Sequence, residues 1–113
     1  MPGRPTTLTK LSRDVLDEIV RRIVEVAHPD RIILFGSAAR GEMGPDSDVD
    51  LLVVKADVVH RGHLAEEIYM NLAGVGVAVD LIVVTPHDID RFKDRVGTVI
   101  RPALRDGLEV YAA

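Results

Sequence analysis

Between Leu34 and Val54 the chain reads LFGSAARGEMGPDSDVDLLVV. An apolar run from Arg31 to Phe35 ends in Gly36-Ser37. After ten further residues, Asp48 and Asp50 stand at the head of a second apolar run, Val49 to Val54. Both runs have the length and the Ile/Val/Leu content of strands. Residues two apart on a strand point to the same face, so the Asp48 and Asp50 carboxylates converge. Such a pair is unfavourable unless something positive lies between them, and a divalent cation is the natural choice. Small residues at a turn beside paired carboxylates suit a metal-bound phosphate. The stretch therefore points to phosphoryl or nucleotidyl transfer.

Outward from this stretch the pattern alternates helix and strand. Leu11, Val15, Ile19, Ile23 and Val26 recur at helical spacing, widened by Leu16, Val20 and Val24, and predict a helix over about Leu11 to Ala27. Ser12 is a candidate cap, Asp14 suits the first turn, and Pro29 stops the helix. Residues 1–8, with two prolines and a glycine, read as a loose arm. Ser37 to Arg40 fits one helical turn, and Gly44-Pro45-Asp46 is a turn signal. A helix is expected over His60 to Leu72, broken by Gly74 and Gly76. A third strand is expected over Val77 to Val84. Thr85-Pro86 opens a helix to about Lys93. Another helix spans about Val96 to Arg105, with Gly97 and Pro102 as conflicts, and Leu108 to Tyr111 adds an edge strand. This is an α/β (α+β) arrangement: a small mixed sheet with flanking helices, in one domain of 113 residues.

Composition narrows the chemistry. The net charge is −4, with no clustered basic stripe, and the four aromatics are Phe35, Tyr69, Phe92 and Tyr111, so a nucleic-acid polymer is a poor substrate for this chain. The absence of cysteine rules out disulfides and thiolate zinc sites and fits a reducing cytoplasm. No apolar run approaches the ~20 residues of a membrane span. The chain reads as soluble and cytoplasmic.

Asp80 lies within VAVDLIVV, a run that reads as buried on both faces. An isolated carboxylate there would be costly. It is either paired with an Arg or Lys or faces the same cation as Asp48 and Asp50; with three carboxylates on adjacent strands, the cation reading is preferred. His60 and His63 have ligand-like spacing, but no further donor completes a zinc site, and they are expected to be solvated or half-buried. His28 and His87 sit at element ends. Asp88 to Arg95 reads as a solvated charged face.

Gly36-Ser37 through Asp48-Val49-Asp50 resembles the DNA polymerase beta nucleotidyltransferase superfamily, and the whole stretch is similar to its minimal MNT type. The likeness continues from Val79 to Tyr111. It implies a nucleotidyltransferase fold in which Asp48, Asp50 and Asp80 hold two Mg²⁺ ions, with Asp80 near the attacking hydroxyl. It implies that Gly36 lets the backbone approach the triphosphate of ATP, that Ser37 donates to a β- or γ-phosphate, and that Arg40 adds a forked contact. Ser47 would orient the loop into Asp48. Larger members add a helical acceptor-binding domain, so the acceptor is expected on another chain. MNT proteins commonly accompany a helical HEPN toxin, silenced by AMP transfer to a tyrosine. The resemblance thus implies a protein adenylyltransferase acting as antitoxin in a homo- or hetero-oligomer. Two alternatives stay open: an antitoxin acting by contact alone, and an aminoglycoside-like small-molecule nucleotidyltransferase.

Overall fold

Arg31–Phe35 (β1) and Val49–Val54 (β2) pair antiparallel at the centre of a four-stranded sheet. Their middle residues are Ile, Leu and Val, and both elements lie where the sequence predicts them. The computed structural model describes residues 12–42 and 47–113. The expected arm over residues 1–8, Leu11 and the Gly44-Pro45-Asp46 turn lie outside the described residues. The remaining elements are α1 (Arg13–Ala27), α2 (Gly36–Ala39), α3 (Arg61–Asn71), β3 (Val79–Val84), α4 (Pro86–Phe92), α5 (Ile100–Asp106) and β4 (Leu108–Ala112). The strand order is β3-β2-β1-β4. β3 runs parallel to β2, so a crossover is required, and α3 supplies it. β4 runs antiparallel to β1 at the opposite edge.

Side-chain alternation divides the core into two layers. On one face Ile32, Leu34, Val49, Leu51, Val53, Leu81 and Val83 pack with Ile19 and Ile23 of α1 and Ile68 of α3. On the other, Ile33, Leu52, Val54 and Val84 pack with Ile100 and Ala103 of α5. The two central strands are therefore covered on both sides, which is why they read as continuous apolar runs. Among the described residues no helix is long and apolar enough to cross a membrane.

The helix ends follow from local chemistry. Ser12 occupies the N-cap of α1 with extended backbone, but its hydroxyl makes no capping bond; Asp14 lies in the first turn as expected. Thr85 opens α4 with a full capping box. Its hydroxyl accepts from the Asp88 N–H (3.1 Å), the Asp88 carboxylate accepts from the Thr85 N–H (2.9 Å), and Pro86 takes the first helical position. Arg61 of α3 ion-pairs with the same carboxylate at 2.6 Å. Burial alone would push the Asp88 carboxyl up. The Thr85 N–H, the Arg61 guanidinium and the Thr85 hydroxyl outweigh it and hold the group below its ordinary value. This stabilisation is present above the ordinary carboxylate value and is lost as the pH falls from there through the lowered folded value. Replacing Thr85 with Ala is expected to destabilise the fold by about 1 kcal/mol, read as a lower urea midpoint at unchanged slope.

Several boundaries differ from the expectation. β3 begins at Val79 rather than Val77, because Gly76 and its neighbours form an irregular lead-in with φ +97 at Gly76. The last helix is shorter, Ile100–Asp106. Gly97, at φ +94, belongs to the connection before it. Pro102 lies in its first turn, where a missing N–H has no intrahelical acceptor to forfeit. His60 precedes α3 as its N-cap, and His63 stands 4.0 Å from Glu67; both are exposed.

Candidate active site

Strand direction brings the chemistry-bearing residues to one end of the sheet. β1 is antiparallel to β2, so the carboxyl end of β1 lies beside the amino end of β2: Phe35 registers with Asp50. β3 is parallel to β2, so its amino end lies at the same place: Asp50 registers with Asp80. Gly36-Ser37, Asp48-Val49-Asp50 and Asp80 meet there although they are distant in sequence. Alternation puts Asp48, Asp50 and Asp80 on the sheet face that carries Leu52, Val54 and Val84 farther along.

Asp50 is the half-buried member; Asp48 and Asp80 are exposed. Burial pushes the Asp50 carboxyl above its ordinary value, and the negative charges of Asp80 and then Asp48 push it further in the same direction. No Lys, Arg or His ion-pairs with Asp50 among the described residues. The cluster is therefore short of positive charge.

The expectation for Asp80 requires correction. The apolar run around it reads as buried on both faces, yet Asp80 is exposed and is the second residue of its strand. β3 is an outer strand, in which Leu81, Val83 and Val84 are buried and Val79, Asp80 and Ile82 are not. A desolvated ion pair is thus not needed to explain Asp80; its exposure leaves the carboxylate accessible.

Gly36 has a firm steric reason to be glycine. Its φ is +72, a region costly for L-residues with a side chain. A Cβ built on it would collide with the Asp50 carboxylate oxygen and stand 3.3 Å from Asp50 Cγ. The glycine thus makes room for Asp50. It also opens α2, the short helical turn that carries half-buried Ser37. The Ser37 carbonyl accepts from the Glu42 N–H at 2.9 Å, tying the turn to the following loop. Arg40 is exposed, and its guanidinium Nε pairs with Glu42 at 2.8 Å. Ser47 is half-buried just before Asp48.

The donor set fits a hard divalent cation: carboxylate oxygens only, on neighbouring strands about 4.8 Å apart. It is not a closed cage. Among the described residues no group of three His, Cys, Asp or Glu side chains stands close enough to hold an ion alone. Mg²⁺ is commonly held by one or two carboxylates together with substrate phosphates, so an open set of this kind suits it.

The sequence reading passed over Tyr69. Its hydroxyl accepts from the Leu81 N–H at 2.9 Å, one residue after Asp80. No spacing or composition signal marks a lone tyrosine on a helix as the neighbour of a strand edge.

Known proteins share this fold. The nucleotidyltransferase domain family matches residues 14–103. A Methanocaldococcus jannaschii protein, provisionally named a protein adenylyltransferase, is 32% identical over 87 residues. That match takes in 71% of this chain, and the chain spans 59% of the length of that relative. A crystal structure from Sulfolobus solfataricus, provisionally described as a nucleotidyltransferase, superposes with a TM-score of 0.59 at 22% identity, covering 88% of this chain and 78% of that one. A chain from the complex of tri-AMPylated Shewanella oneidensis HEPN toxin with MNT antitoxin gives 0.56 at 17% identity, covering 91% and 74%. At these identities the two structures bear on the fold, which they share. With four-fifths of the chain inside the family match and the aspartates gathered at one end of the sheet, the chain belongs to the nucleotidyltransferase domain family.

Proposed function

We propose that this protein transfers AMP from ATP to a tyrosine hydroxyl of a helical HEPN toxin and thereby acts as its antitoxin. The observation that carries the reading is the register that sets Asp50 between the end of β1 and Asp80, with no cationic ion-pair partner among the described residues. The name of the archaeal relative and the AMPylated toxin in the Shewanella complex support the acceptor class.

Asp48, Asp50 and Asp80 would hold two Mg²⁺ ions. The chemistry Mg²⁺ supplies in such a set is neutralisation of the triphosphate and of the oxygens entering and leaving phosphorus. The chain's own residues do the rest. Gly36 keeps space for the Asp50 carboxylate, and Ser37 donates from its hydroxyl or N–H to a phosphate oxygen. Arg40, once turned from Glu42, offers its fork to the triphosphate. Ser47 orients the entry to Asp48. The tyrosine oxygen forms a bond to the α-phosphorus, the bond from that phosphorus to the bridging oxygen breaks, and pyrophosphate leaves. The exposed Asp80 carboxylate receives the hydroxyl proton. ATP as donor goes with a cytoplasmic site of action.

Co-expression with the toxin tests this reading against antitoxin action by contact. Asp48→Ala is expected to abolish protection while still co-purifying with the toxin. Full protection by Asp48→Ala would assign neutralisation to contact and overturn the catalytic reading.

A further inference from the structure

Asp80 is the second residue of an outer strand whose approach carries two glycines in left-handed conformation. Gly74 and Gly76 precede β3 with φ of +83 and +97, and nothing lies within 4 Å of where a Cβ would stand on either. The position of the Asp80 carboxylate relative to Asp50 therefore depends on how the first residues of β3 are fixed.

In a parallel ladder, alternate residues turn their N–H and C=O toward the neighbouring strand. The Ala78 carbonyl accepts from the Val49 N–H (2.8 Å) and the Val84 carbonyl from the Lys55 N–H (2.9 Å). By that alternation Asp80 faces β2, and the Leu81 N–H points to the outer edge, where β3 has no strand beside it among the described residues. That N–H is not left without a partner. Tyr69, reaching from α3, accepts it at 2.9 Å. The peptide joining Asp80 to Leu81 is thus held from both sides: by β2 through its carbonyl and by the tyrosine hydroxyl through its N–H. Tyr69 lies beside fully buried Ile68, which anchors its helix in the core, while Tyr69 itself is 41% exposed. The other tyrosine, Tyr111, is on β4 at the opposite edge and pairs with Ile32.

We propose that Tyr69 is a positioning residue: its hydroxyl takes the place of a missing strand at the peptide after Asp80 and fixes that carboxylate opposite Asp50. The inference rests on the proposed role of Asp80 in transfer and cation binding.

The test is Tyr69→Phe, which keeps the ring and removes one oxygen. Three readouts are compared with the unaltered protein: exchange of the Leu81 amide, Mg²⁺ affinity followed by the Asp80 carboxyl ¹³C resonance, and kcat with KM for ATP in AMP transfer. The Leu81 amide is expected to exchange faster while the Leu52 and Val54 amides, which face β1, do not change. Mg²⁺ affinity is expected to fall about tenfold, as when a partner supporting a metal ligand is lost. A drop in kcat of about tenfold with KM within about twofold is expected, because displacement of a reacting group by a fraction of an ångström costs rate rather than nucleotide binding. Unchanged Leu81 exchange would show that the hydroxyl does not hold that peptide. Faster exchange with unchanged Mg²⁺ affinity and kcat would make the bond purely structural; either result overturns the proposal. If the unaltered protein transfers no AMP, the proposed function fails by itself, and the Mg²⁺ arm alone decides the role of Tyr69.

Discussion

Asp50→Asn is expected to cripple transfer while making the cation-free protein more stable at neutral pH. The two effects have one cause. Burial and the charges of Asp80 and Asp48 raise the Asp50 carboxyl above its ordinary value, so the folded chain binds that proton more tightly than the unfolded chain does. Stability from this group is fully present below the unfolded carboxylate range and is lost as the pH rises through the raised folded value. At pH 7 the ionised group is a cost carried by the fold, and Asn removes it. In thermal denaturation without divalent cations, the Asn variant should melt higher at pH 7, and the difference should vanish below about pH 3.8, the ordinary Asp range. Mg²⁺ should raise the melting temperature of the unaltered protein and leave the variant nearly unmoved, since only a ligand that binds the folded state stabilises it. Activity should fall by about 10³-fold, the equivalent of several kcal/mol of lost charge stabilisation. A variant that melts lower at pH 7 without cations would contradict this account of the cluster.

Gly36→Ala carries the second large effect. At φ +72 an alanine costs about 1–2 kcal/mol in backbone strain. Its Cβ would also occupy the space of the Asp50 carboxylate, so the carboxylate must move. The expected result is a urea midpoint lowered in keeping with the strain and a loss of transfer of about 10²-fold, the scale of an ångström-sized misplacement. Ala38→Gly, one turn position away, lacks the collision and should lose far less activity. The sequence reading gives Gly36 a role in letting phosphates approach the backbone. The structure adds an earlier requirement, since Asp50 cannot stand where it does beside any other residue.

The central strands were legible because Ile, Leu and Val fill positions covered on both faces, and the Thr85-Pro86 start was legible because capping is local chemistry. The Asp48-Val49-Asp50 spacing was legible for the same reason, since period-two alternation needs only one strand. The burial of Asp80 was not legible, because VAVDLIVV looks alike in a central strand and at the head of an edge strand; only the order β3-β2-β1-β4 tells them apart. The meeting of Phe35, Asp50 and Asp80 follows from one antiparallel and one parallel pairing, which no local pattern encodes. Tyr69 stayed hidden for the same reason, because its partner is twelve residues away at the Leu81 amide. The collision that demands Gly36 is likewise a tertiary fact.

Intact-mass spectrometry of the proposed HEPN partner, after incubation with this protein, ATP and Mg²⁺, tests the central claim most directly. The account predicts a gain of one or more AMP units on the toxin, absent with Asp48→Ala and absent without the cation. An unmodified toxin that nonetheless binds tightly to this protein would contradict it.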